Sequence, residues 1–202
     1  MTRFLAGRIV TLLLTTLAAS LIVFFTLEVL PGDPAQLILG VNAQEDTLAA
    51  LRKQLGFDQP LPLRYLTWVG GMLTGNFGVS YTYATPVREL LAERLTVSLP
   101  LALYAITLST LIAIPVGVFA AARRGKLADA LTMGVAQVGV AAPNFWLGLL
   151  LILVFAVGLG WFPASGFAGW GGGFWQGLRG LTLPAFALAL PQAAILARVT
   201  RS

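Results

Sequence analysis

Four long stretches of the chain contain no charged side chain, and they constrain the fold more than any other feature. They cover residues 9–27, 97–122, 131–159 and 181–197. A helix of about 20 apolar residues, rising about 1.5 Å per residue, crosses the hydrocarbon core of a bilayer. The chain is 57% hydrophobic and only 10% charged, whereas soluble domains carry about 25% charged residues. We therefore predict an all-α integral membrane protein with about four transmembrane helices.

The first apolar stretch directly follows the basic residues Arg3 and Arg8. It is 19 residues long, whereas the apolar core of a cleaved signal peptide has about 7–15 residues and ends at a small-residue cleavage site. We predict that residues 1–30 form the first transmembrane helix.

Residues 31–96 are predicted to form an external segment of short amphipathic helices between the first and second transmembrane helices. Pro31-Gly32-Asp33-Pro34 is a helix stop and turn. Asn42 is the predicted N-cap of a helix over residues 43–55, and Gly56 is its predicted end. Further helices are predicted over residues 63–73 and from Thr85-Pro86 onward, with Tyr65 and Trp68 at the water–lipid interface.

Residues 97–202 are predicted to hold transmembrane helices over 97–122, 131–159 and 181–197. The second of these has 29 residues and must tilt or bend, and Pro143 is the predicted bend. A glycine- and tryptophan-rich stretch over residues 161–180 is predicted to be a flexible external loop.

The distribution of charge predicts the orientation. With the N-terminus in the cytoplasm, seven basic residues and one acid, Asp129, lie inside, and six basic and seven acidic residues lie outside. The inside set comprises Arg3, Arg8, Arg123, Arg124, Lys126, Arg198 and Arg201. This asymmetry agrees with the positive-inside rule.

The sequence argues against catalysis by this chain. It contains no Cys and no His, which removes thiolate and histidine chemistry and the common transition-metal sites. The glycines near residue 170 are not followed by Gly-Lys-Ser/Thr, so they do not form a phosphate loop. We expect no catalytic, cofactor-binding or metal-binding residues.

Mild polarity remains within the apolar stretches, at Gln137, Asn144 and Gln192. Asn144 follows Pro143, and Gln192 follows Pro191. Each amide must find a partner, because an unpaired polar group in hydrocarbon is costly. One interpretation is helix–helix hydrogen bonding. The other is that Gln137, Pro143, Asn144 and Gln192 line a translocation path where proline-loosened helices move.

A series of motifs resembles the dipeptide/oligopeptide/nickel group of ABC importer permeases. The motifs, in chain order, are LPGDP at 30–34, LGFDQPL at 55–61, GNFGVS at 75–80, PNFWLG at 143–148, GWFPASG at 160–166, LPA at 183–185 and ARVTRS at 197–202. They extend over nearly the whole chain in the order that the family shows.

The resemblance implies a type I importer permease of six transmembrane helices in a bacterial-type inner membrane. Such a permease works with a second homologous permease subunit, two cytoplasmic ATPase subunits and an external substrate-binding protein, and itself hydrolyses no ATP. Dipeptide, oligopeptide, glutathione and nickel-chelate systems share these motifs, so the resemblance leaves the cargo open.

The family's coupling segment, with its EAA-type motif, and its last two helices would follow Ser202. We therefore expect the chain to be a fragment of a longer permease. The alternative functions are a secondary carrier and a non-transporting membrane assembly protein. The absence of charged residues from the predicted spans beyond residue 96 argues against a proton-driven carrier, although backbone carbonyls can also bind ions.

Overall fold

The computed structural model describes residues 1–29, 32–40, 43–80, 82–164 and 166–202. Its helices are α1 (Thr2–Val29), α2 (Pro34–Leu39), α3 (Glu45–Gln54), α4 (Leu61–Leu73), α5 (Val87–Ala122), α6 (Leu127–Ala141), α7 (Asn144–Leu151) and α8 (Phe174–Arg201). A π-helical segment, Ile152–Gly158, continues α7, and the two-residue strands β1 (Val79–Ser80) and β2 (Thr85–Pro86) pair antiparallel. The predicted Asn42 cap, Pro31 of the predicted turn, and Leu30 and Ser165 of the family-like motifs lie outside the described residues.

Long apolar helices account for the predicted membrane spans. Within the described residues, α1, α5 and α8 are each long and apolar enough to cross a bilayer, and α6 with α7 and its π-helical continuation provides a bent fourth candidate. The prediction of an all-α membrane protein with about four spans is confirmed.

The helix ends differ from the predicted spans in three places, one of which is the start of α6 at Leu127, four residues before the predicted start at 131. α5 begins at Val87, ten residues before the predicted start at Val97, and continues through Pro100 and Pro115 to Ala122. α8 covers Phe174–Arg201, whereas the prediction was 181–197. Hydropathy locates the lipid-facing part of a helix, but charged side chains such as Glu and Arg are themselves good helix formers, so the helices continue past the apolar stretches.

Charges therefore lie within the long helices, but only toward their ends. Arg88 and Glu89 occupy the first turn of α5, and Arg198 and Arg201 occupy the last turns of α8. Asp129 lies in the first turn of α6. The central turns remain free of charge, as the sequence indicates.

The chain divides into two compact units, residues 1–92 and 93–202. In the first unit, aromatic side chains join α4 to α1. The Phe24 ring lies 5.4 Å from Tyr65 and 5.9 Å from Trp68, measured between centroids. The hydroxyls of Ser20 and Tyr65 are 2.7 Å apart. The two aromatics that we expected at the water–lipid interface thus pack against a helix of their own unit.

Ion pairs connect the short helices of the first unit. Arg52 donates to the Asp33 carboxylate at 2.9 and 2.6 Å and to Glu45 at 2.8 Å. Asp33 also caps α2, because its Oδ1 accepts the Ala35 N–H at 3.0 Å. The hydrogen bonds from the Arg52 guanidinium, together with the one from the Ala35 N–H, hold the pKa of Asp33 below its ordinary value. This carboxylate is therefore ionised at neutral pH.

Helix α3 begins after Gln44 and ends at Gln54, close to the predicted bounds of 43–55. Gly56 has φ +75°, a left-handed conformation that glycine adopts without steric cost, which explains the end of the helix. Within α3, Leu48 is buried. Thr85-Pro86 belongs to β2 and precedes α5, so the separate short helix expected there is instead the start of α5.

The second unit is built around α8, whose buried face consists mainly of alanine. Four alanines spaced four residues apart are almost completely buried: Ala185, Ala189, Ala193 and Ala197. Residues four apart lie on one side of a helix. Small side chains on this row let neighbouring helices approach closely, which is how membrane helices pack where lipid removes the hydrophobic driving force.

Helix α5 meets α8 with both chains running in the same direction. The Tyr104 and Thr182 hydroxyls lie 3.4 Å apart. Gly117, further along α5, lies against Ala197, further along α8. The contacts advance together along both helices, so α5 and α8 are parallel.

Helix α6 contacts α8 in the opposite order. Asp129, near the start of α6, pairs with Arg201 at the end of α8. Gly139, ten residues later in α6, lies against Ala194, earlier in α8. Helices α6 and α8 are therefore antiparallel, as consecutive alternating spans require.

Candidate functional site

The break between α6 and α7 is the most irregular point within the membrane-spanning helices of the second unit. Ala142 and Pro143 are extended, with ψ near +127° and +136°, and the axes on the two sides differ by 101°. Proline provides no N–H and disfavours helical conformation in the preceding residue, which explains the break. The bend predicted at Pro143 is confirmed. It is a complete interruption of the helix rather than a kink.

Asn144 is the first residue of α7, directly after the break. Its side chain is exposed on the surface of the unit. Within the described part of the chain, the structure gives its side-chain amide no hydrogen-bond partner. In a membrane such an amide needs a partner from water or from another protein surface.

Gln137 and Gln192 have different surroundings, although both are exposed. Arg198 of α8 donates a hydrogen bond from Nη2 to the Oε1 of Gln137 on α6. Gln192 lies on α8 next to Ala193 of the buried row, but Gln192 itself is exposed. Among the residues that the structure describes, its amide forms no hydrogen bond.

The structure thus connects only part of the predicted set. Pro143 and Asn144 are adjacent at the break, and Gln137 is paired with Arg198, a residue outside the predicted set. Arg198 had been assigned only to the cytoplasmic charge count. Its reach to Gln137 depends on how α6 and α8 pack, which no local pattern encodes.

Helix α8 crosses the break and contacts both sides of it. A Cβ added to Gly139 of α6 would lie 3.8 Å from the Ala194 Cβ, and one added to Gly148 of α7 would lie 3.7 Å from the Ala187 Cβ. Both distances are ordinary van der Waals contacts, so α8 packs against α6 and α7 at these two positions. Because α8 contacts the helix on each side of the break, a movement of α6 relative to α7 would change their contacts with α8.

A groove of about 950 Å³ lies beside these helices. Its walls are apolar and come from α5, α6, α7 and α8, and they include Ile112, Val116, Leu131, Leu147 and Leu190. None of the four predicted site residues lines it. The polar residues and the groove are therefore separate features of the second unit.

The π-helical segment after α7 ends at the glycine- and tryptophan-rich loop. The Phe155 carbonyl accepts the Trp161 N–H at 2.9 Å. Arg179 of α8 donates from Nε and Nη2 to the Trp161 carbonyl at 3.0 and 2.6 Å. Trp170 donates its indole N–H to the Thr96 carbonyl at 3.0 Å. The loop that we expected to be flexible is therefore attached to α5 and α8.

The ion pair between Asp129 and Arg201 is the feature that sequence reasoning missed most clearly. Arg201 donates from Nε and Nη2 to the two carboxylate oxygens, both at 2.6 Å. The Asp129 side chain is only 4% exposed. Asp129 is the single acid among the residues predicted to be cytoplasmic. A lone acid among seven basic residues is the sequence feature that could have indicated an ion pair.

Comparison with known families agrees with these observations. Residues 1–102 match the family described as the N-terminal region of the membrane component of binding-protein-dependent transport systems. Residues 113–202 match the family described as the inner membrane component of binding-protein-dependent transport systems. The two matches together cover nearly the whole chain.

Individual relatives carry related names. A putative peptide transport system permease of Brucella abortus is 38% identical over 209 residues, covering 100% of this chain and 64% of the relative. A probable peptide ABC transporter permease of Sinorhizobium fredii is 33% identical, covering 98% and 63%. A glutathione transport system permease of Salmonella typhimurium is 35% identical, covering 100% and 63%.

The chain spans just under two thirds of the length of these relatives. Within that span, the two family matches cover residues 1–102 and 113–202, and the long apolar helices fall within the same stretch of chain. The chain belongs to the family of inner membrane components of binding-protein-dependent transport systems.

Proposed function

We propose that this protein is a transmembrane permease subunit of an ATP-driven importer for peptides and forms half of the translocation path. The observation that carries the proposal is the family match over both halves of the chain. Relatives named peptide and glutathione transport permeases support a peptide-like cargo. Glutathione is itself a tripeptide, so one cargo class accounts for both names.

The proposed partners are a second homologous permease subunit, two cytoplasmic ATPase subunits and an external substrate-binding protein. A system that depends on a binding protein needs an external surface to receive it. Residues 31–96 are the proposed receiving segment, and their described part contains α2, α3, α4, the paired strands β1 and β2 and the start of α5. The ion pairs of Arg52 with Asp33 and Glu45 would hold this segment in a defined shape.

The N-terminus is proposed to be cytoplasmic. The directions of the helices in the second unit support this orientation, because α5 and α8 run parallel while α6 runs antiparallel to α8. That alternation places the turn between α5 and α6 on the same side as the end of α8. Both regions are rich in arginine and lysine, which the positive-inside rule assigns to the cytoplasm.

The translocation path is proposed to pass the break between α6 and α7. Exposed amides at Asn144 and Gln192 support this placement, because each needs a hydrogen-bond partner and has none among the described residues. Gln137 remains in the proposed set, with Arg198 of α8 as its hydrogen-bond partner. The mobile element would be the break at Pro143.

Uptake by the full-length permease with its partner subunits tests this function. The assay uses proteoliposomes that enclose ATP, with the binding protein added on the outside. We expect labelled dipeptides or tripeptides to enter only when ATP and the binding protein are both present. Uptake that follows a proton or sodium gradient without the ATPase would instead indicate a secondary carrier.

Replacement of Asn144 by leucine tests the path. The change removes the amide, keeps a similar volume and favours insertion, so protein level and assembly should stay normal. We expect uptake to fall on the order of tenfold, equivalent to about 1.4 kcal/mol. Phe145→Leu, at the exposed neighbouring position, is the matched control and should transport normally. Normal uptake by Asn144→Leu would show that Asn144 serves only helix packing or is dispensable, and would contradict its place in the path.

A further inference from the structure

The end of α8 is held by an unusually complete set of contacts to Asp129. The carboxylate receives two hydrogen bonds of 2.6 Å from Arg201 and a third, at 3.0 Å, from the Gly125 backbone N–H. Gly125 has φ +80°, so the turn between α5 and α6 presents its N–H to the carboxylate in a conformation that favours glycine. Asp129 therefore links this turn directly to α8. We call Asp129, Arg201 and Gly125 the α8 anchor.

The position of Arg201 on α8 explains why it needs this partner. Arg201 continues the row of buried alanines, four residues beyond Ala197. A guanidinium in line with a buried row is partly removed from water, and charges taken out of water need a paired, hydrogen-bonded partner. A bidentate arginine–carboxylate pair also restricts geometry, because two parallel bonds define the relative orientation of both groups.

The same end of α8 is held from a second direction by α5. Gly117 approaches so closely that a Cβ there would lie 2.5 Å from the Thr200 Cβ and 2.8 Å from the Ala197 carbonyl oxygen. The last turns of α8 are thus fixed between α5 and the start of α6. Farther along, α8 contacts both sides of the break at Pro143 through Gly139 and Gly148.

We propose that Asp129 is a positioning residue that couples the turn between α5 and α6 to the break at Pro143 through α8. The anchor makes the turn and the end of α8 move as one body, and α8 carries that displacement to α6 and α7. The proposal rests on the proposed transport function, because an ATPase partner would displace the cytoplasmic ends of the helices, where the turn and the end of α8 both lie. It adds a specific route by which that displacement reaches the membrane interior.

Three variants of the full-length permease, assembled with its partners in lipid nanodiscs, separate this role from folding. Asp129→Asn keeps the shape but removes the charge, Arg201→Lys keeps the charge but removes the bidentate geometry, and Asp129→Glu keeps a carboxylate. The readout is the ratio of ATP hydrolysis with and without loaded binding protein, normalised to assembled complex. We expect this ratio to fall about fivefold or more in Asp129→Asn and Arg201→Lys. Asp129→Glu should retain most of it.

A distance measurement gives a readout that does not depend on transport. Residues 1–202 contain no cysteine, so once any cysteine elsewhere in the complex is replaced, spin labels at Leu127→Cys and Ser202→Cys report on the start of α6 and the end of α8. We expect a narrow distance distribution in the parent and a broader one when Asp129→Asn is added. Phe145→Leu in the same labelled background should leave the distribution narrow.

The outcomes are distinct. An unchanged stimulation ratio in assembled Asp129→Asn and Arg201→Lys, or an unchanged distance distribution, contradicts the coupling role of Asp129. A loss that only follows the amount of assembled complex, with no rescue by Asp129→Glu, also contradicts it. A parent complex that takes up no peptide contradicts the proposed function instead, and the distance measurement still decides whether the anchor holds.

Discussion

Replacing Gly117 with alanine should destabilise the second unit by about 1–3 kcal/mol, the usual cost of overpacking a tight contact. The added methyl group would lie 2.5 Å from the Thr200 Cβ and 2.8 Å from the Ala197 carbonyl oxygen. Neither atom is the end of a flexible side chain, so α5 and α8 must separate. Alanine is the better helix former by roughly 0.5–1 kcal/mol, and this gain is too small to offset the clash.

Thermal unfolding of the detergent-solubilised chain, followed by circular dichroism, measures this effect. Gly134→Ala is the matched control, because Gly134 also lies within a helix and a Cβ there would have no atom within 4 Å. The control should be neutral or slightly stabilised. A Gly117→Ala protein that unfolds at the temperature of the control would show that α5 does not approach α8 closely at this point.

Cysteine labelling should show an all-or-none difference between the two sides of the membrane. Gln44→Cys and Gly171→Cys should react with a membrane-impermeant thiol reagent in intact spheroplasts, whereas Leu127→Cys should react only after the membrane is opened. The chain has no native cysteine, so each label reports a single position. Gly171 suits the test, since its surroundings are open, and Leu127 is 75% exposed.

The physical basis of this expectation is the charge asymmetry. The turn between α5 and α6 contains Arg123, Arg124 and Lys126 without an unpaired acid, because Asp129 is engaged by Arg201. Retaining this turn in the cytoplasm avoids moving several cations across the membrane. Labelling of Leu127→Cys from outside in intact cells would overturn the proposed orientation, and with it the placement of residues 31–96 on the external side.

The candidate site was only partly predictable from the sequence. The break at Pro143 was predictable because a 29-residue apolar stretch is too long to cross a bilayer upright and proline weakens the helix there, whereas the prolines within α5 and α8 leave those helices continuous. That Asn144 is exposed and Gln137 is paired with Arg198 depends on which faces of α6, α7 and α8 meet. Hydropathy does not report which face of an apolar helix touches protein and which touches lipid, since both are equally apolar.

The sequence by itself determined the membrane character, the number of spans, the break at Pro143 and the family, because each depends on composition or on motifs short enough to read directly. The tertiary structure decided the helix ends, because a helix continues past its apolar stretch wherever its backbone hydrogen bonds can still form. Helix α5, for example, begins at Val87 and not at Val97. It also decided the pairing of Asp129 with Arg201 and the contact of Gly117 with Ala197. Those partners are 72 and 80 residues apart in the chain, and only the packing of α5 and α6 on α8 brings them together.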